Sequence, residues 1–437
     1  MKTTPLSLLN VYYAIGVCLA LFGPISYSGI NGAALAGFMI IFLILISIGF
    51  YWAALGARPV LFAASDTSDQ RPIPVYFKVA LLVSLAFSLI LCLTTVARSG
   101  LSAFSLSAGA ENYADQYAKY ERNSGEFQPQ WILSEFVYPF HVAMISWTVF
   151  MYRRMSWKFK LSSAAACALV VVSMGLMAGK QKIIGDLMII STFVFLAAQY
   201  GRKLCLRQVI IAAGLVLLVS IVVLGTISYR YELAGISIDN INQKVGVNLE
   251  FNEDSSLIRL FGPGTGFALI QLSQYISNGY YGLSLAFSLP FQWTGFIGNS
   301  YSLMVVYNRF FGGEFLLERT YPFRAGEEFD WGLSKWHTAF AWFASDLTFP
   351  GTLIFFGIVA FVYGRLWRAV AIDRNDLAVP LYAYMSIGFV FVPANNQLMI
   401  SPGGILALVV FILLWRSSHG QKSTDQNHAS PYSPTQR

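Results

Sequence analysis

The sequence has few charged residues for its length. Only 12% of its 437 residues are Asp, Glu, Lys or Arg, whereas 56% are hydrophobic. A soluble globular domain carries about 25% charged residues because water must solvate its surface. The low charge therefore excludes a cytosolic enzyme. The net charge of +7 includes no long basic run with interleaved aromatic residues, so we expect no nucleic-acid partner.

Cysteine is also scarce. The four cysteines are Cys18, Cys92, Cys167 and Cys205, and none lies in a long polar segment. The sequence therefore has no disulfide framework and no CxxC metal site. It also has no DxD motif in the segments that we place outside the membrane. We expect a protein that works without a metal ion and without a cofactor.

Long apolar stretches are what the sequence has in abundance. A helix needs about 20 mostly apolar residues to cross the hydrocarbon core, where an unpaired backbone group is not tolerated. The sequence predicts an all-α polytopic membrane protein with about ten (10–12) transmembrane helices. The predicted spans are 7–26, 33–54, 75–96, 131–152, 160–178, 183–199, 207–228, 350–367, 377–393 and 402–416.

Lys and Arg in the short loops give the orientation. The connections after the second, fourth, sixth and eighth spans are basic, and alternate connections lie on one side of the membrane. The positive-inside rule assigns that side, and with it both termini, to the cytoplasm. Two outer loops are then long, 97–130 and 229–349.

The segments outside the spans differ in character. Because Gly, Pro, Asn and Gln interrupt the apolar region 265–312, we expect interfacial or re-entrant helices within the large loop, or one or two further spans. The polar tail 417–437 is expected to be disordered and cytoplasmic. Loops this long in compact proteins are usually functional, so we expect the functional site in 229–349.

A short outer turn carries two lysines, Lys180 and Lys182. Basic residues at an outer membrane surface suit a phosphate head group. Asp186 lies one helical turn after Lys182, so an i,i+4 ion pair is expected. The alternative is that the lysines only snorkel towards the interface.

The large loop offers further cations. Arg230 stands between two tyrosines where the seventh span ends, which suits either an interfacial anchor or a diphosphate ligand. Arg259, Arg319 and Arg324 add guanidinium groups, although mixed charges in a loop are usually only a solvated face. The sequence alone does not choose among these arginines.

His337 precedes the apolar run that ends the large loop. Of the four histidines, two lie in the tail and one, His141, falls within a span. A histidine at the membrane surface can act as a general base or orient a hydroxyl group, because its pKa lies near neutrality. A single histidine is more often structural, so the residues around it decide the assignment.

Those residues resemble a known family. From His337 the chain has an aromatic residue at +3 (Phe340), an acid at +9 (Asp346) and a glycine at +14 (Gly351). This pattern is similar to the signature of bacterial O-antigen polymerases (the Wzy type) and O-antigen ligases. Two positions depart from it: Thr338 replaces an Asn, and Thr348 replaces a common glycine.

A second element agrees with this resemblance. The turn Ala178-Gly179-Lys180, followed by Gly185, looks like the family's Gly-Ser-Arg or Gly-Ser-Lys turn, although the spacing leaves Lys182 as a rival. The resemblance covers roughly 170–370. It implies a GT-C-like, metal-independent glycosyltransferase of the bacterial inner membrane that polymerises undecaprenyl-diphosphate-linked oligosaccharide repeat units.

The resemblance also implies roles for particular residues. His337 or Asp346 would act on the acceptor hydroxyl, and the basic residues would stabilise the departing diphosphate. A polysaccharide chain-length regulator is the expected protein partner, besides the lipid bilayer and the lipid-linked substrate. The alternatives are an O-antigen ligase, a flippase or transporter of lipid-linked oligosaccharide, and a structural membrane subunit. The absence of an internal repeat disfavours a transporter.

Overall fold

A computed structural model shows a helical protein. It describes residues 4–55, 72–100, 129–177, 182–201, 248–252, 254–312, 315–333 and 335–428, and the single positions 214, 225, 229 and 235. The predicted seventh span, 207–228, and most of the predicted outer loop 97–130 lie outside these ranges.

Twelve α-helices form the described part of the chain. They are α1 Pro5–Phe22, α2 Gly32–Leu55, α3 Val75–Ser99, α4 Pro129–Met151, α5 Trp157–Val170, α6 Lys182–Ala198, α7 Ser256–Ala286, α8 Tyr301–Phe311, α9 Tyr321–Phe329, α10 Ala339–Ala371, α11 Val379–Phe391 and α12 Pro402–His428. A π-helix, Val171–Met177, continues α5. Short 3₁₀ turns precede α9 and α11 at Leu316–Arg319 and Asp376–Ala378, and a third follows α4 at Tyr152–Arg154. Strands β1 (Ile25–Tyr27) and β2 (Leu249–Phe251) pair antiparallel, with Ile25 opposite Phe251.

The helices support a multi-pass membrane protein. Within the described ranges, six helices are long and apolar enough to cross a bilayer. They lie close to the first five predicted spans and to the eighth. Two shorter apolar helices, Asp376–Phe391 and Pro402–Ser418, cover the last two predicted spans, and α6 covers the sixth. The total of ten spans remains a prediction.

The charged residues that we assigned to the cytoplasm meet at one end of this bundle. Arg154, after α4, forms a 3.1 Å ion pair with Asp376 before α11. Arg374 donates to the carbonyl oxygens of Ala197 and Ala198 at the end of α6. Helices that are distant in sequence therefore share one basic end, as alternating connections require.

Helix α10 extends beyond the span that the sequence predicts at 350–367. Helix α10 begins at Ala339, well before the predicted span at 350, because Thr338 caps it and Pro350 only kinks it. The kink lies at Thr348, whose φ of 63° and ψ of 167° are adopted almost only by glycine. A glycine at this position would fit this backbone without strain.

Helix α7 joins two helical segments across a kink at Gly262, and the second segment carries the region from 265 as far as Ala286. Helix α8 follows at Tyr301–Phe311, and whether these helices are interfacial, re-entrant or spanning stays a prediction. The tail that we expected to be disordered from 417 is helical as far as His428. Gln, Lys and Ser are acceptable in a helix once an apolar segment has nucleated it.

The core is built on a close contact between α2 and α10. A β-carbon on Gly49 would lie 2.2 Å from the carbonyl oxygen of Gly357, and one on Gly364 would lie 2.5 Å from that of Phe50. Small residues let membrane helices approach this closely, because packing rather than the hydrophobic effect holds them together. This contact fixes α10 and with it the position of His337.

Candidate functional site

His337 is held at the outer end of α10. The next residue, Thr338, caps the helix by accepting a 3.4 Å hydrogen bond from the amide of Ala341. The amide of Ala339 donates to the carbonyl oxygen of Val392, 2.8 Å away, beyond the end of α11. Both bonds fix the backbone on the C-terminal side of the histidine.

The imidazole of His337 is buried, with 2% of the residue exposed. Its Nε2 lies 3.1 Å from the carbonyl oxygen of Gly332. A carbonyl only accepts, so Nε2 carries the proton, and in the neutral ring Nδ1 holds a lone pair. Among the described residues Nδ1 has no hydrogen-bond partner. Burial lowers the pKa of His337 to about 4, so the ring is neutral at physiological pH.

Glycines of α7 make room for the ring. A β-carbon on Gly282 would lie 3.1 Å from Nδ1 of His337 and 2.9 Å from Nε1 of Trp331. One turn earlier, a β-carbon on Gly279 would lie 1.7 Å from the carbonyl oxygen of Pro393. Both glycines are therefore required for packing: Gly279 against the backbone of Pro393, and Gly282 against Trp331 and the unpaired nitrogen of His337.

Trp331, which lies beside Gly282 next to this nitrogen, belongs to an aromatic cluster. The rings of Trp331 and Tyr281 meet edge to face at 4.8 Å, and Tyr281 stacks on Tyr27 of β1 at 4.9 Å. The Trp331 indole donates to the carbonyl oxygen of Trp336 at 3.3 Å. Because His337 is 2% exposed, a substrate hydroxyl reaches its unpaired nitrogen only when neighbouring side chains move.

Asp346 has a different environment. Its Oδ1 accepts hydrogen bonds from the Thr294 hydroxyl at 2.5 Å and the Gly298 amide at 3.1 Å. Its Oδ2 accepts from the backbone and side-chain nitrogens of Asn299, at 2.9 and 2.8 Å. A carboxylate has about four lone-pair positions, so these bonds use its capacity. Asp346 fastens the segment 290–300 to α10, about two helical turns from His337.

Arg324 lies beside the same segment. Its guanidinium donates to the carbonyl oxygens of Pro290 at 2.7 Å and Arg319 at 3.2 Å, and lies 5.0 Å from the ring centre of Tyr321. Both arginines are half-buried. Since the partners of Arg324 are neutral, its positive charge is not cancelled and can attract an anion.

Lys182 forms the ion pair that the sequence predicts. Its Nζ lies 2.7 Å from Oδ2 of Asp186 and 3.1 Å from the hydroxyl of Tyr138 on α4. Asp186 is buried, and among the described residues its Oδ1 has no hydrogen-bond partner. The lysine is thus neutralised in part and ties α6 to α4, which favours the structural reading of this residue over a free anion site.

The remaining basic candidates lie elsewhere. Arg259 is exposed in the first turn of α7. Lys180 and Arg230 lie outside the described residues. The structure brings Arg319 and Arg324 near the segment that Asp346 holds, and it places His337 and Lys182 in separate environments.

Sequence reasoning missed two kinds of residue at this site. Gly282 and Trp331 enclose His337, and Thr294 and Asn299 hold Asp346. The glycines at 279 and 282, three residues apart on one helix face, were the available signal for a close approach. Comparisons of the chain with protein-family models, curated proteins and solved structures each find no match.

Proposed function

We propose that the chain polymerises undecaprenyl-diphosphate-linked oligosaccharide repeat units at the outer face of the bacterial inner membrane. The observation that carries this proposal is the neutral imidazole of His337, whose one free nitrogen faces the space beside Gly282. The pattern around His337 supports the same assignment. The GT-C-like architecture and the count of ten spans belong to this proposal.

The proposed chemistry is a single displacement. An acceptor hydroxyl oxygen attacks the anomeric carbon of the donor glycan, and the bond from that carbon to the phosphate oxygen breaks. The diphosphate leaves with the electron pair, and the hydroxyl proton moves to Nδ1 of His337. A protonated imidazole could not accept it, so the low pKa of His337 keeps the base in the required form.

The other candidates take supporting roles in this proposal. Asp346 positions the segment 290–300 and is not the base, because its oxygens are already bonded. Arg324 is the described cation best placed to stabilise the leaving diphosphate, since its hydrogen-bond partners are uncharged. Lys180 and Arg230 keep the diphosphate role that the sequence predicts.

Gly282→Ala tests the proposal by filling the space beside the free nitrogen. The new methyl group would lie 3.1 Å from Nδ1 of His337, so we expect cells with this variant to lose long polysaccharide while the protein still inserts. The measurement is the ladder of polysaccharide lengths on an electrophoresis gel, in cells that lack the wild-type gene.

Gly264→Ala is the matched control on the same helix. A β-carbon there meets nothing within 4 Å, so its ladder should equal that of the wild type. A normal ladder from Gly282→Ala would contradict the role of His337. If Gly282→Ala loses the normal ladder, the remaining products separate the two enzymes. Single repeat units attached to lipid A-core would show that polymerisation is lost, whereas long polymer without lipid A-core would show that a ligase is lost.

A further inference from the structure

A band of exposed aromatic residues lies beside the segment that Asp346 holds. The turn before α8 exposes Phe291, Trp293 and Phe296, and the end of α8 exposes Phe310 and Phe311, the last two by 77% and 76%. We call these five residues the aromatic platform. Val305, Val306 and Tyr307 add to the apolar surface between them. A soluble surface rarely leaves so many adjacent apolar side chains uncovered.

The platform is fastened to two membrane helices. Asp346 of α10 binds Asn299, and the side chain of Asn396, before α12, donates to the carbonyl oxygen of Asn299 at 2.6 Å. The hydroxyl groups of Ser300 and Ser302 donate to the carbonyl oxygens of Met399 and Ile400. The depth of the platform in the membrane can therefore be measured along both helices.

Helix α10 gives the first measure of that level. Arg365 is exposed at its cytoplasmic end and marks the inner boundary of the hydrocarbon. The regular helix from Phe349 to Arg365 covers about 16 residues, or roughly 24 Å at 1.5 Å per residue, and Asp346 lies just beyond the kink at Thr348. Since the hydrocarbon core is about 30 Å thick, Asp346 lies near its outer boundary. Ile354 and Ile358, between them, are exposed as lipid-facing residues should be.

Helix α12 gives an independent measure. Arg416 is exposed near its cytoplasmic side, and α12 begins at Pro402, about 14 residues or roughly 21 Å before it, with Ile400 just beyond. Val409 and Leu413 are exposed in the interval. Both measures place the attachment of the platform within about 10 Å of the outer hydrocarbon boundary.

Helix α8 stays near this level. Met304 packs in one buried cluster with Trp342, which lies one turn towards the outer end of α10 from Asp346. Asn299 lies at the level of Asp346, and Met304, five residues later, lies at the level of Trp342. Between these two residues the level changes by only about 6 Å, the rise of four residues along α10. Arg309 is exposed among the apolar residues, and α8 contains no acidic residue. An apolar face with a basic residue suits lipid with its phosphate groups.

We infer that the aromatic platform inserts into the outer leaflet, with the rings among the acyl chains and Arg309 at the phosphates. The lipid bilayer is its partner, and Asp346 and Asn396 set its depth. This inference does not depend on glycan transfer.

Spin labels test the insertion depth. In a variant whose four cysteines are replaced, Phe310→Cys and Trp293→Cys are labelled singly, and the protein is placed in vesicles of phosphatidylethanolamine and phosphatidylglycerol. Oxygen, which concentrates in lipid, should relax both labels much more than a water-soluble nickel complex. Ile354→Cys on the lipid-facing side of α10 and Glu327→Cys on exposed α9 are the lipid and water references.

The expected result is an oxygen-to-nickel ratio close to that at position 354 for both labels. A ratio like that at position 327 would show that the platform lies in water and would overturn the inference. Protection from both reagents would also overturn it, because a second copy or another protein would then cover the platform. The use of two positions guards against one label that perturbs its surroundings.

Discussion

Replacement of His337 by alanine is expected to slow glycan transfer by about 10²–10⁴-fold, the usual contribution of a positioned general base. The variant loses the unpaired Nδ1, which lies next to Gly282. The rate of polymer formation in isolated membranes measures the effect, and the amount of inserted protein shows whether the variant still folds.

Two further results separate a base from a structural histidine. His337→Gln can keep a hydrogen bond to the carbonyl oxygen of Gly332 but offers no basic nitrogen, so it should be as slow as the alanine variant. The wild type should keep its rate as the pH falls below 6.5, the ordinary pKa of histidine, and lose it only near 4, where His337 gains a proton. Full activity of His337→Gln, or a loss of rate centred near 6.5, would contradict the account.

Replacement of Asp346 by alanine is expected to lower the free energy of unfolding by about 3–5 kcal/mol. Four hydrogen bonds to a carboxylate disappear, and the buried amide of Gly298 loses its partner, whereas the Thr294 hydroxyl keeps its 2.9 Å bond to the carbonyl oxygen of Ser345. Hydrogen bonds to charged groups are worth about 1.5–3 kcal/mol each, and a buried donor left unpaired costs more. Loss of folded protein on heating in detergent measures the change.

Asp346→Asn is the matched variant. It keeps the volume of the side chain and one accepting oxygen, but its amide group faces donors, so an intermediate loss of stability is expected. Glu327→Ala, at an exposed position within α9, should leave stability unchanged. If Asp346→Ala were as stable as the wild type and only inactive, Asp346 would be a reacting group rather than an anchor.

The sequence predicted the helical membrane fold because that fold depends on local composition. A run of 20 apolar residues has few other stable states, and the Lys182–Asp186 pair follows from helical spacing alone. The start of α10 was missed because Pro350 reads as a helix start, whereas Thr338 caps the helix and Thr348 takes the kink. Pro350 can lie within a membrane helix because neighbouring groups satisfy the freed backbone atoms.

The composition of the site was less predictable. Type and position suggested His337 and Asp346, but their different environments come from residues distant in sequence: Gly282 beside the one, Thr294 and Asn299 around the other. From the sequence, Asp346 and His337 were alternative candidates to act on the acceptor hydroxyl. The hydrogen bonds show that Asp346 binds the segment 290–300. Such contacts depend on how α7 and the segment 290–300 pack on α10, which local patterns do not encode.

Transfer by the purified protein tests the central claim most directly. The protein is placed in lipid vesicles with an undecaprenyl-diphosphate-linked repeat unit as the only substrate, and the products are weighed by mass spectrometry. The account predicts glycans that grow by whole repeat units, with one undecaprenyl diphosphate released for each new glycosidic bond, and no growth with His337→Ala. Glycans that keep the mass of a single repeat unit would contradict the account, whether or not the substrate crosses the bilayer.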